Sequence, residues 1–281
     1  MDSPKKRRRR AHTRTKVAMF LVMLVISFIA LFPFYSMLMM GTYKTAELYS
    51  SIKLIPGNYL VENMKRVLST PIFTFYRNSM VVAVCSAIAC VAVSALAGYG
   101  LSKFEFKGKR AISNFIMLTM MVPTQLGIVA FVLEMRKMGL TDTLLPLILP
   151  FASSAFGVFW IRSFTESAIP YEVIESARID GASEFSIFMQ IALPFMRPAC
   201  VTLLLLAFMW SWNDFLYPLV LINKAELYTI PLGIRQMSGA YSNDTAAQIL
   251  GLSVTTLPIL LLFIAFNKNM IEGLTSSSVK G

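Results

Sequence analysis

The sequence predicts an all-α integral membrane protein with six transmembrane helices. Of its 281 residues, 56% are hydrophobic and only 15% are charged, and the mean hydropathy is +0.63. Soluble domains have about 25% charged residues, and a soluble fold cannot cover so much apolar side chain with so little polar surface. The composition therefore excludes a soluble enzyme, a collagen-like rod and a disulfide-stapled secreted domain.

Apolar stretches long enough to cross a bilayer recur along the chain. A helix needs about 20 mostly apolar residues to cross the hydrocarbon layer. These stretches are predicted to be helices, because lipid offers no partner for unpaired backbone groups and each is too long for a barrel strand. The first exceeds the roughly 7–15 apolar residues of a signal peptide, so we expect it to be retained. The predicted spans are 17–40, 79–102, 111–133, 143–161, 198–223 and 245–267.

The basic residues predict that both termini lie in the cytoplasm. The tail 1–16 has eight basic residues and one acid, within a formal net charge of +11. With this end inside, the inner segments have 17 basic residues and the outer loops nine, as the positive-inside rule requires. The run of basic residues also fits a nuclear-import or nucleic-acid arm. Beside six spans, we favour an orientation segment lying against anionic lipid and expect no nucleic-acid partner.

The sequence has no motif for catalysis or metal binding. His12 is its one histidine, and Cys85, Cys90 and Cys200 all fall inside predicted spans. No carboxylate-rich ligand cluster, phosphate-binding loop or nucleophile set is present. We therefore expect a transport subunit with no enzyme activity, no cofactor and no metal. If ATP drives this protein, another chain must bind it.

The loop 162–197, between the fourth and fifth spans, is predicted to fold as a helix–turn–helix. Asp180 and Gly181 form a turn, Ser183 opens a second short helix, and Pro194 ends it. The loop has five acids and three bases. Anionic lipid attracts the opposite charge, so a protein partner is favoured over the alternative of an amphipathic helix lying on the membrane.

Fixed spacing of residue types in this loop supports a family resemblance. Glu175-Ser176-Ala177 is followed after three residues by Gly181 and after nine more by Ile191-Ala192-Leu193-Pro194. This pattern resembles the Glu-Ala-Ala loop, or EAA motif, of bacterial ABC importer permeases, with Ser176 replacing one alanine. Residues 210–219, the C-terminal end and Arg77-Asn78-Ser79 resemble the carbohydrate-uptake, maltose-type subgroup.

The resemblance implies a type I ABC importer permease fold with its core over 75–267, flanked by an extracytoplasmic loop 41–74 and a cytoplasmic C-terminal tail 268–281. It implies a heterodimer with a sister permease, two cytoplasmic ATPase subunits that bind ATP and Mg, and an extracytoplasmic solute-binding protein. The complex would lie in the lipid of a bacterial cell membrane. This subunit would form half of the translocation pathway for a sugar or oligosaccharide.

The loop would then be the coupling helix that docks on the ATPase. Gly181 is expected to let two backbones approach, and Phe185 and Phe188 are expected to supply contact area. The residues that the resemblance assigns to coupling are Glu175, Ser176, Ala177, Asp180, Gly181, Phe185, Ile191, Leu193 and Pro194.

Asp214 is an acid inside a predicted span, which makes it a candidate for function. We consider Asn78, Trp212, Asn213 and Asp214 as residues of the translocation pathway or its gate. The alternative is a subunit contact or an interfacial belt, since aromatic residues are enriched at membrane surfaces. The outer loop 224–244 is a better candidate than the outer loop 41–78 for docking the solute-binding protein.

Two other functions stay open at this point. An ion-coupled secondary transporter would need ionisable residues near the middle of the bilayer and broken helices in repeated halves, and the sequence offers neither clearly. An ABC importer permease for a non-sugar solute, such as a glycerol-phosphate ester, shares the same motifs. A membrane-bound sensor would need a soluble signalling domain, and no segment is long enough for one.

Overall fold

The computed structural model describes residues 4–236, 244–261 and 264. Within these ranges every regular element is a helix, which confirms the all-α prediction. Short 3₁₀ turns and one π-helical turn, Phe188–Ala192, lie between the α-helices. The α-helices are α1 (Pro4–Met40), α2 (Leu60–Ser69), α3 (Ile72–Lys103), α4 (Lys109–Thr119), α5 (Ile128–Lys137), α6 (Leu145–Ala152), α7 (Ala155–Ala168), α8 (Tyr171–Ile179), α9 (Glu184–Ile187), α10 (Leu193–Trp212), α11 (Leu216–Leu221), α12 (Ile230–Gln236) and α13 (Thr245–Thr255).

The described ranges do not confirm all six predicted membrane-crossing helices. In the described ranges, four helical stretches are long and apolar enough to cross a membrane, and a bent pair brings the number to five at most. The predicted sixth span, 245–267, corresponds to a shorter apolar helix, Thr245–Leu261, and its last residues lie largely outside the described ranges, as does the C-terminal tail 268–281. The four long stretches are Thr15–Met40, Ile72–Lys103, Leu145–Ala168 and Glu184–Trp212.

The predicted span 111–133 is the bent pair. Its two arms, Lys109–Thr119 and Thr124–Lys137, meet at an angle of 92°. Pro123 lies in the break. Proline lacks an N–H donor and disfavours helical backbone in the residue before it, so the first arm ends ahead of it. The sequence predicted one continuous span here, but the structure turns through nearly a right angle.

The predicted span 198–223 is also interrupted. α10 ends at Trp212, and the shorter α11 begins at Leu216. Asp214 lies between them, where its Oδ1 accepts a hydrogen bond from the Leu216 backbone N–H at 3.2 Å. An aspartate that bonds the backbone two residues on favours a turn over a continuing helix. Asp214 therefore lies in the turn between α10 and α11 and not inside a helix.

The chain divides into two compact units, and the first comprises Met1–Thr70 with Met237–Val254. The apolar side chains of Thr15–Met40 are exposed on nearly all sides, as in a helix surrounded by lipid. The buried Asn63 of α2 donates from its Nδ2 to the carbonyls of Gly41 and Tyr43, both at 2.8 Å. These bonds fix α2 beside the end of α1.

The second unit, Pro71–Gln236 with Thr255–Gly281, is built around α3. Its main neighbours are α10, α7 and α6. The buried face of α3 contains many small residues, among them Ala83, Ala87 and Ala95, which let neighbouring backbones approach closely. At Gly98 a side-chain carbon would lie 2.8 Å from the backbone nitrogen of Arg162. Glycine is therefore required where α3 crosses α7.

Candidate functional site

The predicted coupling loop, residues 162–197, packs against the end of α3. Lys103, the last residue of α3, is buried, and its Nζ donates to the carbonyl of Ile169 at 2.5 Å. The Tyr99 ring contacts the rings of Phe188 at 5.3 Å and Phe104 at 5.7 Å between centroids. Aromatic pairs at such distances add to the energy of burial. The loop is therefore fixed to the most central helix of its unit.

α8 ends in a turn that requires Gly181. Gly181 has φ +80°, and its N–H donates to the carbonyl of Arg178 at 3.0 Å. The Ala182 N–H donates to the carbonyl of Ala177 at 3.0 Å. This pair of bonds is the Schellman motif, which places a left-handed residue just after a helix. A side-chain carbon at Gly181 would meet nothing within 4 Å. The glycine is therefore required by the backbone conformation, and no close approach of another described residue explains it.

The second helix of the loop begins at the predicted place. The Ser183 Oγ accepts from the Ser186 N–H at 3.3 Å and caps α9, as serine does at helix starts. Across the turn, Arg178 donates to both carboxylate oxygens of Glu184, at 2.6 Å and 3.3 Å. The Arg178 guanidinium also lies 5.4 Å from the centre of the Phe104 ring. Its hydrogen bond to Glu184 raises the pKa of Arg178.

Pro194 does not end this helix, contrary to the prediction. α9 continues through the π-helical turn Phe188–Ala192 into α10, and Glu184–Trp212 forms one stretch of 29 residues. A proline inside a regular α-helix removes one hydrogen bond and clashes with the preceding turn. A π-helical turn widens the helix by one residue, which relieves that clash just before Pro194.

The structure separates the predicted coupling residues by exposure. Phe185 is 72% exposed, whereas Phe188, which was expected to share its role, is 8% exposed and packs on Tyr99. The Ser176 Oγ donates back to the Glu172 carbonyl at 2.8 Å, so this departure from the motif faces outward. The exposed residues are Glu175, Ser176, Asp180, Gly181, Phe185 and Pro194; Ile191 and Leu193 are half-buried, and Ala177 is buried.

Ile179 is an exposed apolar residue of the loop that was not predicted from the sequence. It is 82% exposed, at the end of α8. Its neighbours Ile174 and Ala177 are buried, and a helix rotates a residue five positions later to a different face. The 3.6-residue period therefore contained the information needed to place Ile179 on the outside. We call Ile179 and Phe185 the exposed apolar pair of the loop.

The anchoring residues Tyr99, Lys103 and Arg178 were not singled out from the sequence either. Lys103 is one of several basic residues after the second predicted span, with Lys107, Lys109 and Arg110. Only one sign in the sequence distinguishes Lys103, which bonds the Ile169 carbonyl, from the other basic residues. Lys103 lies directly at the end of a long apolar stretch.

The candidate pathway residues have structural contacts of different kinds. Asn78 is buried, and its Nδ2 donates to the carbonyls of Glu226 at 2.8 Å and Tyr228 at 3.0 Å. Trp212 is buried, with its ring 5.4 Å from that of Phe208 and 6.0 Å from that of Tyr76.

Asn213 is exposed, and its Nδ2 donates to the carbonyl of Met209 in its own helix at 2.8 Å. Asp214 is half-buried and bonds the Leu216 backbone, as described above. Within the described ranges, no three His, Cys, Asp or Glu side chains come together as metal ligands would.

Two relatives of this chain are named as permease proteins of transport systems. The arabinooligosaccharides transport system permease protein AraQ of Bacillus subtilis (strain 168) is 30% identical over 95% of this chain and 96% of its own. The sn-glycerol-3-phosphate transport system permease protein UgpE of Pectobacterium atrosepticum is 30% identical, over 91% of this chain and 95% of its own.

A chain in the crystal structure of a bacterial ABC transporter involved in the import of the acidic polysaccharide alginate has the same fold. The TM-score is 0.76, with 22% identity, over 95% of this chain and 98% of that one. This similarity confirms the predicted importer fold. Residues 90–270 match the family model for binding-protein-dependent transport system inner membrane components. The chain belongs to this family and is a membrane protein of the ABC importer permease type.

Proposed function

We propose that this chain is one permease subunit of an ATP-driven ABC importer for carbohydrate and that its coupling loop docks on a separate ATPase. The observation that carries the proposal is the exposed apolar pair on an otherwise well-anchored loop. Ile179 and Phe185 are 82% and 72% exposed. The carboxylates of Glu175 and Asp180 form no ion pair within the described part of the chain. Apolar side chains beside free acids suit a protein surface with an apolar pocket and basic groups.

The complete importer would contain a sister permease, two cytoplasmic ATPase subunits and an extracytoplasmic solute-binding protein. In this arrangement both termini lie in the cytoplasm, six spans cross the membrane, and the ATPase subunits bind ATP and Mg. Family membership and the loop geometry support these partners. The predicted docking loop 224–244 for the solute-binding protein includes residues 237–243, which lie outside the described ranges.

A carbohydrate substrate is supported by the names of relatives such as AraQ. UgpE, named for sn-glycerol-3-phosphate, has the same identity to this chain and supports a glycerol-phosphate ester as a second candidate. The two classes differ in charge, so competition separates them. In cells that express the full chain with its partner subunits, excess unlabelled arabinooligosaccharide should reduce the uptake of the same oligosaccharide carrying a label. Excess glycerol 3-phosphate should not reduce it.

The docking proposal is tested with a photo-crosslinking residue in place of Phe185 in the full chain, expressed in its own host. Phe73, which is 77% exposed near the other end of α3, is the matched control. Irradiation should join position 185, and not position 73, to a subunit that an azido-ATP analogue also labels. A crosslink at both positions, or at 185 to a chain that does not bind nucleotide, contradicts the proposal.

The energy source is tested separately. Arsenate, which depletes ATP, should stop labelled sugar uptake, and a protonophore applied with ATP maintained should leave most of it. The reverse result would favour an ion-coupled secondary transporter.

A further inference from the structure

A basic groove lies beside the coupling loop, at the Lys103 end of α3. Its volume is about 850 Å³, and it opens between the turn 105–108, the start of α4 and the α7 residue Arg162. The groove is lined by Lys109, Arg110, Arg162, Glu105 and Ser113, among others. None of these residues has a role in the proposed docking of the ATPase.

The charges in the groove leave one guanidinium unpaired. Lys109 pairs with Glu105 at 2.7 Å, and Arg162 pairs with Glu166 at 2.8 Å. Both pairs are neutral overall. Arg110 is exposed and forms no ion pair with any residue in the described ranges. The groove therefore offers a net positive charge at the mouth of a cavity.

The start of α4 adds backbone donors to the groove. α4 is 11 residues long, and its N-cap residue Gly108 has no side chain to bond the first amides. The N–H groups of an uncapped first turn, with the helix dipole, attract anions. Ser113 lies one turn further along α4. It lines the groove, is 5% exposed, and its Oγ has no hydrogen-bond partner within the described residues.

We propose that this groove binds the phosphate of an anionic phospholipid. The Arg110 guanidinium, the Ser113 hydroxyl and the backbone amides of Arg110 and Ala111 would supply the donors, since the Lys109 amide already donates to the Phe106 carbonyl at 3.3 Å. The outward side chains of α4 favour a lipid as the source of the phosphate, because Ile112, Phe115 and Leu118 are 47%, 67% and 60% exposed on the same helix. Acyl chains attached to the bound phosphate can cover such side chains. Basic pockets between transmembrane helices on the cytoplasmic side bind anionic headgroups in this way.

The inference depends on the proposed orientation, which places this end of α3 at the inner leaflet. Its test uses neither ATP nor sugar, so a failure of lipid binding and a failure of transport are separate results. The purified full chain is titrated by native mass spectrometry with phosphatidylglycerol and with phosphatidylcholine of the same acyl chains. Phosphatidylglycerol should bind more tightly.

Arg110→Gln should weaken phosphatidylglycerol binding about fivefold, the effect of one basic residue near anionic lipid. Ser113→Ala should cause a loss of similar size, since a hydrogen bond to a charged group is removed. The matched control is Lys137→Gln, which removes an exposed base at the end of α5, away from the groove. It should leave the affinity unchanged.

Four results would overturn the proposal. Equal binding of the two lipids would show that the groove does not prefer an anionic headgroup. Equal losses in Arg110→Gln and Lys137→Gln would show only a general attraction of charge. Displacement of phosphatidylglycerol by millimolar inorganic phosphate would identify a free anion as the ligand. Loss of the bound lipid when the ATPase subunits are added would show that an acidic protein surface occupies the groove.

Discussion

The two ends of α3 hold their neighbouring loops by different means. At the Lys103 end, ring contacts of Tyr99 and the Lys103 ammonium fix a loop that leaves Phe185 72% exposed. Near the Ile72 end, Asn78 bonds the carbonyls of Glu226 and Tyr228, and the Ser79 Oγ accepts from the Ile230 N–H at 2.8 Å.

The loop near the Ile72 end buries its own apolar residues. Ile222, Ile230 and Leu232 are 4%, 1% and 1% exposed. One loop therefore buries its apolar side chains, and the other presents apolar side chains that none of the described residues covers. In a membrane transport subunit, this difference favours the loop 162–197 over the other loop as the surface that a partner would cover.

The largest expected effect comes from Gly181→Val. A β-branched residue at φ +80° disfavours the left-handed turn between α8 and α9 by about 1–2 kcal/mol or more. The loop would adopt another shape, so sugar uptake and stimulation of the ATPase should fall more than tenfold while membrane insertion is retained. Uptake in cells and ATPase rates of the purified complex measure the change.

Gly127→Val is the control for this substitution. Gly127 has φ −86°, and a side-chain carbon there would also meet nothing within 4 Å. It should leave uptake within about twofold, because ordinary backbone accepts the new side chain. Normal transport kinetics in Gly181→Val would mean that the shape of this turn is not used in coupling.

The second effect distinguishes Phe185 from Phe188. Phe185→Ala should lower ATPase stimulation about tenfold, as the loss of an aromatic contact at the centre of an interface does, and leave the melting temperature of the isolated subunit unchanged. Phe188→Ala should lower that melting temperature, because the Tyr99 ring loses its neighbour and a cavity forms. If both variants lower the melting temperature equally, Phe185 packs within its own chain and the comparison fails.

The third effect concerns Asn78. Asn78→Ala removes two hydrogen bonds and leaves the carbonyls of Glu226 and Tyr228 without that donor, which should lower the free energy of unfolding by about 1–3 kcal/mol. Denaturant unfolding of the purified subunit measures it. Asn213→Ala is the matched control and should change stability by less than about 0.5 kcal/mol, since its side chain is exposed and bonds only its own helix. Equal losses of stability in Asn78→Ala and Asn213→Ala would contradict the stabilising role of the Asn78 hydrogen bonds.

The smallest effect depends on pH. Backbone N–H groups of Asn223 and Lys224 donate to Asp142 Oδ1 at 2.5 Å and 3.3 Å, and the bond from Asn223 in particular lowers the pKa of Asp142 below its usual 3.8. The stabilisation is therefore present above pH 3.8 and is lost as the pH falls through the lower folded value.

Asp142→Asn should be slightly less stable than the parent chain at neutral pH, and the difference should vanish in strong acid. Amide hydrogen exchange at residues 221–224 follows this change. Glu134→Gln, an exposed acid on α5, provides the control and should show no such convergence. A difference between Asp142→Asn and the parent chain that persists unchanged in strong acid would exclude a role for the carboxylate charge.

Much of the fold was predictable because it follows from the lipid environment of the chain. Long apolar stretches must be helical in lipid, and the spacing of Glu175, Gly181 and Pro194 identified the loop. The 92° bend after Thr119 was not predictable in size, since a proline fixes where a helix weakens and its neighbours fix the angle. The roles of Phe185 and Phe188 were not separable, because residues three positions apart lie near the same face of a helix. Only the contact of the Phe188 ring with the Tyr99 ring distinguishes them.

The continuity of α9 with α10 has a mechanical consequence. Glu184–Trp212 is a helical stretch of 29 residues, which at about 1.5 Å per residue is about 43 Å long. The Gly181 turn lies just before it, and the break at Asp214 follows it. If this stretch moves as a stiff rod, a rotation of about 5° about one end displaces the other by about 4 Å. A small reorientation of the loop is then amplified along the rod to Trp212, without any hinge inside the membrane.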